Sequence, residues 1–120
     1  MIISFLGKSR YAYATHDLPP SILELKTQGN KAYDEENFTK AIRIYNEGLL
    51  LSNNHPILLG NRAAAYLKRN WNGDLYSALL DSYTVIQMDD TNIKAYLRVI
   101  KCLIELKRPD LANPLVTTFR

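Results

Sequence analysis

Residues 60–82, GNRAAAYLKRNWNGDLYSALLDS, decide the fold because they predict a helix, a polar connection and the start of a second helix. Apolar residues recur at helical spacing on the amino-terminal side as well, through residues 20–33 and again through 38–51. Polar residues 34–37 and the pair His55-Pro56 interrupt that spacing. The chain is therefore predicted to be a series of helix pairs, and helix pairs suggest an internal repeat.

The spacing between small residues at the helix crossings gives the length of the repeat. Gly29 and Ala63 are 34 residues apart, and so are Ala78 and Ala112. Ala41 and Ala78, by contrast, are 37 residues apart. Both spacings are satisfied if three residues are inserted between Ala63 and Ala78, inside the polar connection. A longer connection adds little to the entropic cost of closing a loop.

This pattern resembles tetratricopeptide repeats, whose period is 34 residues. Tyr33, Phe38, Ala41 and Tyr45 follow the bulky and small positions of that family in the first repeat. The resemblance implies an all-α solenoid of three helix-turn-helix repeats, at about 20–53, 56–90 and 91–120, within a domain spanning 18–120. Pro114 is expected to kink or shorten the last helix. Residues 1–17 are expected to form an extended arm.

Five polar residues are predicted to share the concave face of the solenoid. Subtracting 34 from positions in the second repeat and 71 from positions in the third places all five at 23, 26, 27 and 30, which is one stripe of a helix. They are Lys26, Asn30, Asn61, Lys94 and Arg98. Lysine and arginine only donate hydrogen bonds, whereas asparagine both donates and accepts. Such a face suits a ligand rich in carboxylates.

These five residues match the dicarboxylate clamp of co-chaperone tetratricopeptide domains, carried by LKTQGN, GNRAAAY and KAYLR. That resemblance implies binding of the acidic carboxyl-terminal tails of Hsp70 or Hsp90 class chaperones, without choosing between the two. The alternative is a solvated helix face whose cations only aid solubility. A further alternative is a groove filled by an acidic segment of the same parent protein.

A narrower resemblance comes from LPP at 18–20, the lengthened connection in 60–81 and KAYLRVIKCLIELK at 94–107. Together they resemble the adipose family of WD and tetratricopeptide repeat proteins. The resemblance implies an adaptor in fat-storage regulation, acting as a substrate receptor of a cullin-RING ubiquitin ligase. Docking to the ligase would use a WD40 propeller, and the resemblance implies that the arm at residues 1–17 is a remnant of it. Histones and a histone deacetylase corepressor are implied partners. The acidic run at residues 34–36 would suit basic histone tails better than the cationic groove, although such a run is usually a solvated turn.

Other functional classes find little support in the composition. The net charge of +3 includes no dense basic stripe, so nucleic acid is not expected as a partner, nor is a membrane. His16, His55 and Cys102 are scattered, which predicts no catalytic or metal site and no cofactor. Cys102 is expected to be a small buried hydrophobe in a cytoplasmic and nuclear protein. Trp71, in the lengthened connection, is expected to pack on the helix ends, with partner contact as the alternative.

Overall fold

The computed structural model describes residues 20–106, which form five α-helices and, within that range, no strand. The helices are α1 (Pro20–Asp34), α2 (Phe38–Leu51), α3 (Pro56–Arg69), α4 (Asp74–Met88) and α5 (Ile93–Glu105). The predicted all-α tetratricopeptide solenoid is confirmed. The expected amino-terminal arm, Ala112, Pro114 and the second helix of the third repeat lie outside the described residues.

Consecutive helices pack against each other along the whole described range, as short connections require. In addition, α1 packs against α3, and α3 against α5. The first helices of successive repeats therefore stack side by side and line one face of the solenoid. Helices α1 and α2 lie within the predicted range 20–53, α3 and α4 within 56–90, and α5 within 91–120.

Close approach between the helices of the first repeat depends on Gly29. The Tyr45 ring, only 1% exposed, lies flat against α1 at this position. A Cβ atom on residue 29 would come within 2.8 Å of Tyr45 Cδ1 and 2.9 Å of its Cζ. Ala41, Ala63 and Ala78 are fully buried, as expected of small residues at helix crossings.

Side-chain caps begin three of the helices. Asn37 Oδ1 accepts a hydrogen bond from the Lys40 amide, and Asn92 Oδ1 accepts one from the Ala95 amide. His55 has the same role at α3, where its Nδ1 accepts from the Ile57 amide at 3.2 Å. His55 is fully buried, and burial lowers its pKa to about 4.

The three-residue insertion is spread over three elements. The connection at residues 70–73 has four residues, against three at residues 35–37 in the first repeat. The other two extra residues lengthen the end of α3 and the start of α4 by one residue each. Asn70 (φ 52°) and Gly73 (φ 89°) adopt left-handed backbone conformations that reverse the chain within this short turn.

Two bidentate ion pairs fasten α3 to α4 on either side of Tyr66. Arg62 donates to both Asp81 oxygens at 2.8 and 2.7 Å, and Arg69 donates to both Asp74 oxygens at 2.8 and 2.9 Å. Both guanidinium groups lie within 6 Å of the Tyr66 ring centre. These arginines are consequently neutralised inside the fold and are not available to an anionic ligand.

Candidate functional site

The two asparagines of the predicted clamp lie in direct contact. Asn61 Nδ2, on α3, donates a hydrogen bond to Asn30 Oδ1, on α1, at 3.1 Å. The same oxygen accepts the Tyr45 hydroxyl at 2.5 Å. These three residues line a cleft of about 300 Å³ with Tyr33, Asp34 and Ala64. The stacking of α1 on α3, which the repeat period predicts, brings together residues that are 31 positions apart in the chain.

Arg98 reaches the same region from α5. Its guanidinium approaches Gly60 of α3, where a Cβ atom would lie 3.5 Å from one of its terminal nitrogens. Burial lowers the pKa of Arg98, and the nearby Tyr33 acts in the opposite direction. The group nevertheless stays protonated at neutral pH. Within residues 20–106, no carboxylate pairs with it.

An unpaired cation that is partly withdrawn from water raises the free energy of the fold unless an anion approaches it. Arg62 and Arg69 differ, since each has a bidentate carboxylate partner. Arg43 has no carboxylate partner in the described residues, but it is exposed. Arg98 thus combines partial burial with the lack of a carboxylate partner in residues 20–106, which leaves it available to a carboxylate supplied from outside.

Lys26 and Lys94 flank this centre. Each lies four residues before a polar member of the clamp, Asn30 on α1 and Arg98 on α5, so each shares a helix face with that member. Lys26 is partly exposed and Lys94 is exposed. Neither forms an ion pair within the described part of the chain. The structure therefore brings the two amides together at one cleft and places Arg98 against α3 at Gly60, the residue before Asn61, with each lysine on the same helix face as Asn30 or Arg98.

Tyr45 is a residue of the site that the sequence reasoning did not identify. It had been assigned only to the bulky pattern of the repeat, where phenylalanine would fill the same space. Burial raises the pKa of its phenol well above the usual range, so the hydroxyl keeps its proton. A signal was available, because this buried position carries a polar hydroxyl that needs a partner.

Trp71 lies at the turn between α3 and α4, and its packing differs in part from the expectation. Its ring stacks on the Arg69 guanidinium at 4.2 Å, which places it on the end of α3. However, the side chain remains 59% exposed. Trp71 also lines a small recess with Tyr76 and Leu106, so an aromatic surface is open at this end of the solenoid.

The acidic run at residues 34–36 is exposed throughout. Glu36 has a left-handed backbone (φ 61°) in the turn between α1 and α2, as expected of a residue in a solvated reverse turn. Asp34 also borders the cleft beside Asn30 and Tyr45. Its carboxylate therefore adds an acidic group to the lining of the cleft.

Cys102 is fully buried, as predicted, and burial raises its pKa to about 11. Among residues 20–106, no cluster of three or more His, Cys, Asp or Glu side chains could hold a metal ion. None of the five described helices has the length and apolar character needed to cross a membrane.

Comparison with known proteins shows that the chain is similar in sequence to part of a longer protein. The chain is 41% identical over 91 residues to WD and tetratricopeptide repeats protein 1 of Homo sapiens and of Mus musculus. The matched segment is 76% of this chain but only 13% of each relative. The resemblance predicted from the sequence is thus confirmed for a tetratricopeptide segment. No protein-family model matches the chain.

Two solved structures share the fold. The second tetratricopeptide domain of Spaghetti (RPAP3), bound to the HSP90 peptide SRMEEVD, superposes with a TM-score of 0.74 at 26% identity. That superposition covers 82% of this chain and 89% of the RPAP3 chain. The Sgt2 tetratricopeptide domain from Aspergillus fumigatus superposes with a TM-score of 0.72 at 29% identity, covering 81% of this chain and 62% of the other.

Proposed function

We propose that this chain, a tetratricopeptide-repeat segment similar to that of WD and tetratricopeptide repeats protein 1, binds the acidic carboxyl-terminal tail of a partner protein. The groove would be the face lined by α1, α3 and α5. The observation that carries the proposal is Arg98, a partly buried guanidinium that has no carboxylate partner in residues 20–106 and lies on α5, the helix packed against α3 with its Asn61 amide. The RPAP3 domain, which shares the fold, is bound to a peptide with an acidic carboxyl-terminal end.

The five residues would divide the ligand between them. The Asn30 and Asn61 amides would hold the terminal carboxylate and the last peptide N–H, because asparagine supplies both donors and acceptors. Lys26, Lys94 and Arg98 would neutralise the terminal carboxylate and an acidic side chain. Each charge-assisted hydrogen bond contributes roughly 1.5–3 kcal/mol before solvent exposure reduces it. After the cost of ordering a flexible tail, an affinity on the order of micromolar, about −8 kcal/mol, is expected.

Calorimetric titration tests this proposal directly. The chain is titrated with a peptide that ends in EEVD and with the same peptide amidated at its carboxyl terminus. We expect micromolar binding that falls sharply on amidation and that weakens as the salt concentration rises. Arg98→Ala and Lys94→Ala should each weaken binding at least roughly tenfold, about 1.4 kcal/mol. Arg43→Ala is the matched control, since Arg43 is exposed on α2.

Undiminished binding by the Arg98 and Lys94 variants would refute the clamp. Absence of binding by the unsubstituted chain would point to a groove used by another ligand, including a segment of the parent protein. If the unsubstituted chain does bind, titration with tails of the Hsp70 and the Hsp90 class would distinguish the two chaperone classes. Selective binding of either would favour the alternative proposal, a co-chaperone domain outside the adipose family.

For the whole parent protein, we propose an adipose-like adaptor that serves as substrate receptor of a cullin-RING ligase, in which this segment captures the partner. The 41% identity to WD and tetratricopeptide repeats protein 1 supports it, although the chain spans only 13% of that relative. Basic histone tails would contact the acidic run at 34–36 rather than the groove, and Trp71 would be a secondary partner contact. Deleting residues 20–106 from the parent should leave ligase association intact and abolish partner capture. Loss of ligase association would contradict this division.

A further inference from the structure

Asn30 Oδ1 accepts two hydrogen bonds, and this arrangement fixes the direction in which its amide faces. One donor is the Tyr45 hydroxyl at 2.5 Å and the other is Asn61 Nδ2 at 3.1 Å. With its oxygen turned towards these two groups, Asn30 has its NH₂ group left for the groove. Within residues 20–106, no protein acceptor takes a hydrogen bond from that NH₂ group. One N–H and the Oδ1 of Asn61 likewise form no hydrogen bond with protein groups in residues 20–106.

The opposite arrangement is disfavoured inside the fold. If Asn30 alone turned by 180°, its NH₂ group would face the NH₂ group of Asn61, and a hydrogen bond would be lost. If both amides turned together, the bond between them would be restored in the reverse sense. The Tyr45 hydroxyl would then accept from Asn30, and its own proton would lose the acceptor it has now. A buried donor without an acceptor costs roughly 1–3 kcal/mol.

The position of the Tyr45 hydroxyl is itself well determined. The ring is 1% exposed and packs on the bare backbone of Gly29, the residue that precedes Asn30. A side chain on residue 29 would push the ring away, because an added Cβ would lie 2.8 Å from Cδ1. The phenol, whose pKa burial raises, keeps its proton across the ordinary pH range. The Tyr45 hydroxyl is therefore a donor held in a fixed position beside Asn30.

We propose that Tyr45 is a positioning residue, whose phenolic proton sets both the Asn30 and Asn61 amides so that they present N–H donors to a carboxylate in the groove. This inference rests on the proposed function for its ligand. Without the phenolic proton, the hydrogen bond between the two amides can run in either direction, from Asn61 to Asn30 or from Asn30 to Asn61. The nearby cations then favour the direction in which the Asn30 oxygen faces them. An oxygen in that position repels an incoming carboxylate.

Tyr45→Phe is the variant that tests this role, with Tyr76→Phe as the matched control because Tyr76 is 66% exposed on α4. The measured affinity equals the intrinsic affinity multiplied by the fraction of molecules whose amides are in the binding-competent arrangement. We expect the carboxylate-ended peptide to bind Tyr45→Phe roughly two- to tenfold more weakly. The amidated peptide should bind as well as before or better, since a reversed Asn30 oxygen can accept from its terminal amide. A purely structural defect would weaken both peptides alike.

A second readout does not need a ligand. The side-chain amide signals of Asn30 and Asn61 in a nitrogen–proton NMR spectrum should be single and sharp in the unsubstituted chain and in Tyr76→Phe. In Tyr45→Phe these signals should shift or broaden as the two directions of the hydrogen bond between the amides exchange. Unchanged signals, or an unchanged ratio of carboxylate to amide affinity, would overturn the positioning role even if Arg98→Ala abolishes binding. If no peptide binds the unsubstituted chain, the proposed function fails, and the NMR result alone decides the role of Tyr45.

Discussion

Replacing Gly29 by alanine should destabilise the fold, although alanine is the better helix former. The added Cβ atom would lie 2.8 Å from Tyr45 Cδ1, 2.9 Å from Cζ and closer still to Cε1. The ring is 1% exposed and its hydroxyl is bonded to Asn30, so it has little room to withdraw. Overpacking of this kind costs typically 1–3 kcal/mol, whereas glycine to alanine within a helix gains about 1 kcal/mol at most.

The expected net result is a loss of about 1–2 kcal/mol in the free energy of unfolding, with a larger loss for Gly29→Leu. For a domain of this size, each kcal/mol corresponds to roughly 4–8 °C in Tm. Thermal and urea unfolding, followed by circular dichroism, would measure both quantities. Peptide affinity should fall as well, because a displaced ring carries its hydroxyl away from Asn30.

Gly60→Ala is the matched control. Gly60 is also within a helix, but its added Cβ atom would lie 3.5 Å from the Arg98 guanidinium, an ordinary contact distance. This substitution should raise the unfolding free energy by about 0.5–1 kcal/mol. If Gly29→Ala melts at or above the temperature of the unsubstituted chain, the close packing of Tyr45 on α1 is wrong, and with it the crossing assigned to residue 29.

Two further predictions concern His55 and Trp71. Because the folded-state pKa of His55 is lowered to about 4 from 6.5, its contribution to stability is complete above pH 6.5 and is lost as the pH falls towards 4. The loss amounts to about 3 kcal/mol. His55→Asn, which keeps a helix cap, should flatten the dependence of unfolding free energy on pH in that window, and an unchanged slope would show that another group titrates there. Trp71→Ala should lower the unfolding free energy by no more than about 1 kcal/mol, since the indole is 59% exposed and its stacking partner is Arg69. A much larger loss in urea unfolding would mean that the indole anchors the turn.

Periodicity was sufficient to predict the solenoid and to place Asn30 and Asn61 on one face. The spacing of small residues located the insertion, and the common helix stripe predicted that Asn30 and Asn61 would share one surface. Periodicity describes which face a residue occupies, however, and says nothing about rotamers. Neither the hydrogen bond between the two amides nor the closeness of Arg98 to Gly60 could therefore be predicted.

Three other features escaped prediction for separate physical reasons. The ion pairs Arg62–Asp81 and Arg69–Asp74 depend on how α3 and α4 cross, a geometry that the inserted residues alter. His55 looked like a turn residue because proline follows it, yet proline at the first helical position also marks a helix start, which makes the preceding residue the cap. The role of Tyr45 required knowing that its hydroxyl, and not only its ring, is buried.

The doubly bonded oxygen of Asn30 has a consequence for hydration. An amide oxygen offers two lone pairs, and here the fold occupies both. No ordered water has to be released from this atom when a ligand enters, and no vacant acceptor on it competes for solvent. Dehydration on binding then falls on the free N–H groups, the Asn61 oxygen and the cations, which form new interactions with the ligand. At Asn30, the groove enters the complex with its acceptor already dry.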